Sequence, residues 1–98
     1  MYKLELTKQA KKDADLIASS GLKKNVSKLI RIVRASPFQN PPPFEALKGD
    51  RKGAYSRRIN RQHRFVYEVL PNTDKLTDDS GVLYQGIVKI IRMWTHYE

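Results

Sequence analysis

AYSRRINRQHRFVYEVL, residues 54–70, contains two runs of strand-forming residues, AYSRRIN and HRFVYEVL, joined by polar residues at 60–62. β-Branched and aromatic residues on either side of a short polar turn predict an antiparallel hairpin. In the second run Arg64, Val66, Glu68 and Leu70 share one face, and His63, Phe65, Tyr67 and Val69 share the other. A sheet therefore stands at the centre of the chain, and the flanking segments must cover it.

Upstream, YKLELT alternates apolar and polar residues and predicts a strand over 2–6. Thr7 can cap a helix over KQAKKDADLIASS, whose thin apolar stripe is Ala10, Ala14, Ile17 and Ala18, and Gly21 suits its end. A second helix over 23–35 has a fuller stripe of Leu22, Val26, Leu29, Ile30 and Val33, with Lys24, Lys28, Arg31 and Arg34 outside it. Pro37 ends that helix by restricting Ser36. Residues 37–53 read as a loop, in which Pro41, Pro42 and Pro43 favour an extended polyproline run that presents Phe44, Glu45 and Lys48. Residues 71–86 form a polar, acidic excursion. The chain then returns in VLYQGIVKIIRMWTHY as a strand interrupted near Gly86, on which parity puts Arg92, Trp94 and His96 on one face. The order is one strand, two helices, then three or four strands. It predicts a single α+β domain over 1–98, a small antiparallel sheet with an N-terminal helical hairpin on one face.

A hydrophobic content of 40% supports one small core. Without cysteine there is no disulfide framework and no thiolate metal site. The start is too polar for a signal peptide, and no apolar run approaches the ~18 residues of a membrane span. The expectation is a soluble cytoplasmic protein. Lys and Arg number 19 against 10 Asp and Glu, for a net charge of +9 and a pI near 10.0. Such a field attracts nucleic acid or anionic membrane. Neither helix has the large apolar face a membrane-surface helix uses, so nucleic acid is favoured and a membrane partner is not expected. Residues 51–64 hold Arg51, Lys52, Arg57, Arg58, Arg61 and Arg64 with no acid among them. Crowding like charge on a sheet opposes folding, and a bound polyanion is the usual reason to accept it. These residues are the candidate RNA and phosphate ligands.

No phosphate-binding Gly loop, zinc pattern or catalytic Ser or Cys constellation is present. Two histidines and no cysteine also argue against a metal enzyme. What remains is Glu45 near the proline run, arginines on adjacent strands and a terminal His-Tyr. These suit RNA cleavage by the substrate's own 2′-hydroxyl: Glu45 as base, Arg58 and Arg64 as phosphate clamp, His96 as acid. An ordinary histidine is mostly neutral at pH 7, and nearby arginines lower it further. A polyanionic partner would raise it, so activity is expected to be greatest on a large RNA-containing assembly. Plainer readings stand beside these. Glu45 could pair with a surface lysine, and one of Arg57 and Arg58, which face opposite sides, could pair with an acid of the first helix. His63 reads as structural, and Phe65, Tyr67 and Trp94 read as sheet core ahead of base-stacking platforms.

PFEALKGDRKGAYSRRINRQHRFVYEVL and the terminal His-Tyr resemble the Txe/YoeB-type toxins of bacterial toxin–antitoxin systems, in the RelE/ParE superfamily. SPF after the second helix, EALKG, YSRRI and HRFVY together carry the resemblance across most of the chain. It implies a ribosome-dependent mRNA endonuclease on a RelE-like fold, needing neither metal nor cofactor. The family's catalytic glutamate falls on Glu45, its lysine on Lys48 and its strand arginines on Arg58 and Arg64. Its terminal pair falls on His96 and Tyr97, the tyrosine as a stacking or positioning group. The partners implied are the ribosome and its mRNA, a cognate antitoxin whose acidic tail covers the basic face, and operator DNA bound through the toxin–antitoxin complex. Two features depart from the family: residues 71–86, with Asp74, Asp78 and Asp79, are longer than its usual turn, and Glu98 follows the His-Tyr end. The alternatives are a gyrase poison of the ParE branch and a nucleic-acid-binding module without catalysis.

Overall fold

The computed structural model describes residues 1–94. Strand β1 (Lys3–Leu6) leads into helices α1 (Lys8–Ser20) and α2 (Lys23–Ala35). Then follow β2 (Phe44–Ala46), a 3-10 turn (Gly49–Arg51), β3 (Ala54–Arg58), β4 (Arg64–Leu70) and β5 (Ile87–Arg92). The strands make one sheet in the order β1-β5-β4-β3-β2. The central hairpin pairs Ala54 with Glu68 through to Arg58 with Arg64, as its sequence predicts.

Two expectations about strand pairing are corrected. The sheet is mixed, because β1 lies parallel to β5, Lys3 opposite Ile87 through Leu6 opposite Ile90. A parallel pair needs a long connection, and everything between β1 and β5 supplies one. Glu45 is on a strand, not a loop: β2 pairs antiparallel with β3, Glu45 opposite Ser56. A three-residue edge strand has too little alternation to be seen in sequence.

Both helices cover one sheet face. Ala10, Ile17, Val26, Leu29 and Val33 pack there against Phe65, Tyr67, Val88 and Ile90. Thr7 caps α1 by accepting the Ala10 amide, and its hydroxyl donates to the Ile91 carbonyl, tying the helix start to β5. Gly21 closes α1 at φ 83°, a conformation that favours glycine. Gly86 is needed for a different reason. A Cβ there would lie 2.8 Å from the Tyr2 ring and 2.9 Å from the Leu70 carbonyl oxygen. Among the described residues no helix is long and apolar enough to cross a membrane.

The α1 stripe differs from expectation. Ala18 is exposed, and Asp13 takes its place in the buried line with Ala10 and Ile17. The Asp13 carboxylate accepts from Arg92 Nε and the Met93 amide, both at 2.9 Å, and from the Gln9 side chain at 3.1 Å. Because the carboxylate takes the Met93 amide, the ladder stops at Arg92, just after a register shift opposite Val66 and Tyr67. The strand parity predicted for Arg92 and Trp94 is therefore not kept past β5, and His96 lies outside the described residues.

Burial by itself pushes the Asp13 carboxyl up. The bonds from Met93, Gln9 and Arg92, with the Arg92 charge, outweigh it and hold the group below its ordinary value. As pH falls, the unfolded chain takes up this proton first. The stability from Asp13 is thus full above the usual carboxylate range and is lost as pH falls through the lower folded value. Asp13→Asn is expected to cost about 1.5–3 kcal/mol at neutral pH. It should also flatten part of the loss of stability below pH ~4, measured by thermal denaturation across pH.

The proline segment is organised by Arg57 and not by a polyproline run. The Asn40–Pro41 and Pro41–Pro42 bonds are cis, and the chain bends there. Arg57 is fully buried. It donates to the carbonyls of Pro42 at 2.5 Å and Pro37 at 3.0 Å, and to the Tyr67 hydroxyl at 3.1 Å. Tyr67 in turn donates to the Pro37 carbonyl at 2.6 Å. The guanidinium also lies over Phe44, 4.9 Å from its ring centre. Arginine supplies the donors that prolines lack, and so fixes the segment that delivers β2.

Residues 71–86 fold back on themselves through a Thr77–Leu83 bridge. The Asn72 side chain bonds the backbone of Leu76 and Tyr84, and the Asp78 carboxylate accepts the amides of Ser80 and Val82. This arm is a built hairpin tip and not a slack loop.

Candidate active site on the open sheet face

The sheet face away from the helices has a small apolar centre of Ala54, Val66 and Ile91, flanked by Leu47. Polar residues cross it beside that centre. Ser56 of β3 is fully buried, and its hydroxyl accepts from Arg64 Nε at 2.8 Å. Arg64 Nη2 ion-pairs with Glu45 on β2. The Arg64 side chain is 17% exposed and that of Glu45 68%. The guanidinium is thus held from beneath while the carboxylate stays open to an incoming molecule.

Two depressions meet at this pair. One, of about 290 Å³, is lined by Glu45, Lys48, Arg51, Ser56 and Arg64. The other, of about 310 Å³, is lined by Pro43, Phe44, Glu45, Arg58 and Arg64. Of the candidates named from sequence, the fold gathers Glu45, Lys48, Arg51, Arg58 and Arg64. Lys52 and Arg61 are exposed and line neither depression. Arg57 is corrected as a phosphate ligand: strand parity turns it to the helix side, where its donors are spent on carbonyls and a phenol. Of the two acids of the first helix, Asp13 pairs with Arg92, and among the described residues neither Asp13 nor Asp15 pairs with Arg57 or Arg58. His96 and Tyr97 lie outside the described residues.

Sequence reading missed Ser56 and Asp13. Ser56 had a signal: it alternates with Arg58 on β3 and faces the Arg64 strand. Asp13 had another, as a carboxylate at helical spacing between Ala10 and Ile17. His63 stacks on Trp94, ring centres 3.8 Å apart, and Phe65 and Tyr67 are fully buried, so these rings are structural.

A helical hairpin packed on one face of a five-stranded mixed sheet is the α+β fold of RelE-like toxins. The YafQ toxin of Escherichia coli shares the fold at TM-score 0.69 and 17% identity, over 98% of this chain and 94% of that one. More narrowly, the chain belongs to the family of YoeB-like toxins of bacterial type II toxin–antitoxin systems, whose profile matches residues 7–97. It is 40% identical to Toxin YoeB of Streptomyces coelicolor over 63 residues, 64% of this chain and 67% of that protein. It is also 40% identical to Toxin YoeB of E. coli K12 over 57 residues, 58% of this chain and 60% of that protein. A YoeB/ParE toxin from Agrobacterium tumefaciens superposes at TM-score 0.76 and 29% identity, covering 97% of this chain and 99% of its own. A YoeB–YefM complex from Staphylococcus aureus does so at TM-score 0.71 and 26% identity, with 99% of both chains covered.

Proposed function

We propose that this toxin is a ribosome-dependent mRNA endonuclease acting in the cytoplasm. The observation that carries the reading is Glu45 paired to an Arg64 that Ser56 anchors, on an open face among Lys48, Arg51 and Arg58. An incoming phosphate competes with Glu45 for Arg64 and frees the carboxylate. Glu45 then takes the proton of the 2′-hydroxyl as that oxygen attacks phosphorus. Arg64 and Arg58 meet the charge that grows on the phosphoryl oxygens. The P–O5′ bond breaks, and His96 gives the leaving oxygen its proton, with Tyr97 positioning the strand. The products are a 2′,3′-cyclic phosphate and a 5′-hydroxyl. The protein's own groups carry every proton, so the step calls for no cofactor.

A cognate antitoxin is proposed as the second partner, supported by the S. aureus relative, which is described in complex with YefM. The net charge of +9 suits an acidic antitoxin tail and a toxin–antitoxin complex that binds operator DNA.

The test is cleavage of a defined mRNA programmed into ribosomes, with cut sites and ends mapped. Cuts at the decoding site are expected, abolished by a single 2′-deoxy substitution at the scissile nucleotide. Intact mRNA together with inhibition of gyrase supercoiling would replace this reading with a gyrase poison.

A further inference from the structure

The α2 sequence KKNVSKLIRIVRA holds five cations and no acid. Arg34 is used inside the fold, its Nε donating to the Tyr2 carbonyl. Lys23, Lys24, Lys28 and Arg31 are exposed and line one shallow depression on the outer helix face. The ion pairs among the described residues are Lys3–Glu5, Arg64–Glu45 and Arg92–Asp13, so these four cations have no carboxylate partner there. Like charges one turn apart, Lys24 with Lys28, destabilise a helix, and lysines in the first turn oppose its dipole. The fold gains nothing from this arrangement.

The basic face does not stand alone. Asn25 and Lys28 also line the adjoining groove of about 560 Å³, which has Leu29, Ile32 and Ile59 among its walls and Arg58 at its rim. Arg58 is at the same time a wall of the depression that holds Glu45 and Arg64. Shared side chains thus connect α2, the groove and the candidate active site into one track. We propose that this track is a second RNA subsite. The α2 cations hold phosphates of the strand beyond the cut, and the partly apolar groove between Lys28 and Arg58 takes an unstacked base. That pairing of cations with an apolar platform is how single strands are held. RNA is favoured over an acidic peptide because the groove opens onto the phosphate clamp. A strand seated on Arg64 and running past Arg58 meets Lys28 next. The inference rests on the nuclease reading for which molecule occupies Arg64.

The test uses the whole chain and its Lys24→Gln/Lys28→Gln/Arg31→Gln variant, all three changes being on exposed positions. The probes are single-stranded 2′-O-methyl RNAs that cannot be cut, one of about 3 and one of about 12 nucleotides, titrated at several salt concentrations. Three lost phosphate contacts should weaken the long strand at least ~10-fold and reduce its salt slope by about 2, leaving the short strand unchanged. Equal weakening of both lengths, or of neither, overturns the subsite. Loss of binding to a polyglutamate peptide with the long RNA unaffected also overturns it and assigns the face to a peptide. Because the probes are uncleavable, a positive result stands even if ribosome-bound mRNA is left intact, an outcome that would remove only the nuclease reading.

Discussion

Glu45→Gln is expected to lower the rate of mRNA cleavage on ribosomes by about 10²–10⁴-fold, the usual worth of a positioned base. The amide keeps the size of the side chain and can still accept from Arg64, but it cannot take the 2′-hydroxyl proton. The loss should therefore fall on kcat, with KM little changed. Stability should move by no more than about 1 kcal/mol, because the pair is largely open to solvent on the carboxylate side. Single-turnover cleavage and a thermal melt on the same preparation separate the two effects. A variant that cuts at the wild-type rate would move the base elsewhere, and a variant that unfolds would make Glu45 structural.

Arg57→Met should do the opposite, damaging the fold before the chemistry. It removes a buried charge, the donor to the Pro42 carbonyl and one of the two donors to the Pro37 carbonyl among the described residues, and it leaves the Tyr67 hydroxyl short of a partner. Leaving buried acceptors without a charged donor costs about 1–3 kcal/mol each, so the loss at the Pro42 carbonyl and the Tyr67 hydroxyl together is about 3–5 kcal/mol. Set against a total of roughly 5–15 kcal/mol for a domain, that brings the protein close to unfolding. A fall in Tm of more than about 10 °C is expected. Arg57→Lys should not rescue it, because one ammonium cannot reach acceptors spread around a planar fork. A melting curve within a few degrees of wild type would show that the carbonyls find other donors. The same network sets an alkaline limit. Burial raises the Tyr67 phenol above its ordinary value, and the bond and charge from Arg57 offset only part of that. The unfolded chain loses the phenolic proton first, so stability from Tyr67 is full below pH ~10 and is lost as pH rises through the higher folded value.

Much of the architecture could be read from periodicity. The two helices, the Thr7 cap, the Gly21 stop and the β3–β4 hairpin all follow from local pattern, because each is specified by residues close together in the chain. The parallel β1–β5 pairing could not be, since it joins residues more than eighty positions apart and depends on how the helices pack. Within the site, charge pattern marked Arg58 and Arg64 as a phosphate clamp, while which of Arg57 and Arg58 meets the open face was left to the fold. Parity says that neighbours on a strand part company; it does not say which one meets carbonyl oxygens. Ser56 and Asp13 were silent for a related reason. Their importance comes from a single partner each, Arg64 and Arg92, and a partner of that kind leaves no periodic trace.

Arg57 and Arg58 sit side by side on β3, one spent on the interior and one on the exterior, so that strand has a built-in proofreader. A slip of one residue would exchange their roles and turn Ser56 away from Arg64. Arg58 would then enter the core and Arg57 would leave the Pro37 and Pro42 carbonyls behind, so the mispaired hairpin could not close over the proline segment. Misregistered molecules would stay visibly unfolded and open to proteolysis instead of accumulating as compact, inert toxin. Each folded copy would then carry Arg64 and Arg58 together at the open-face depression beside Glu45.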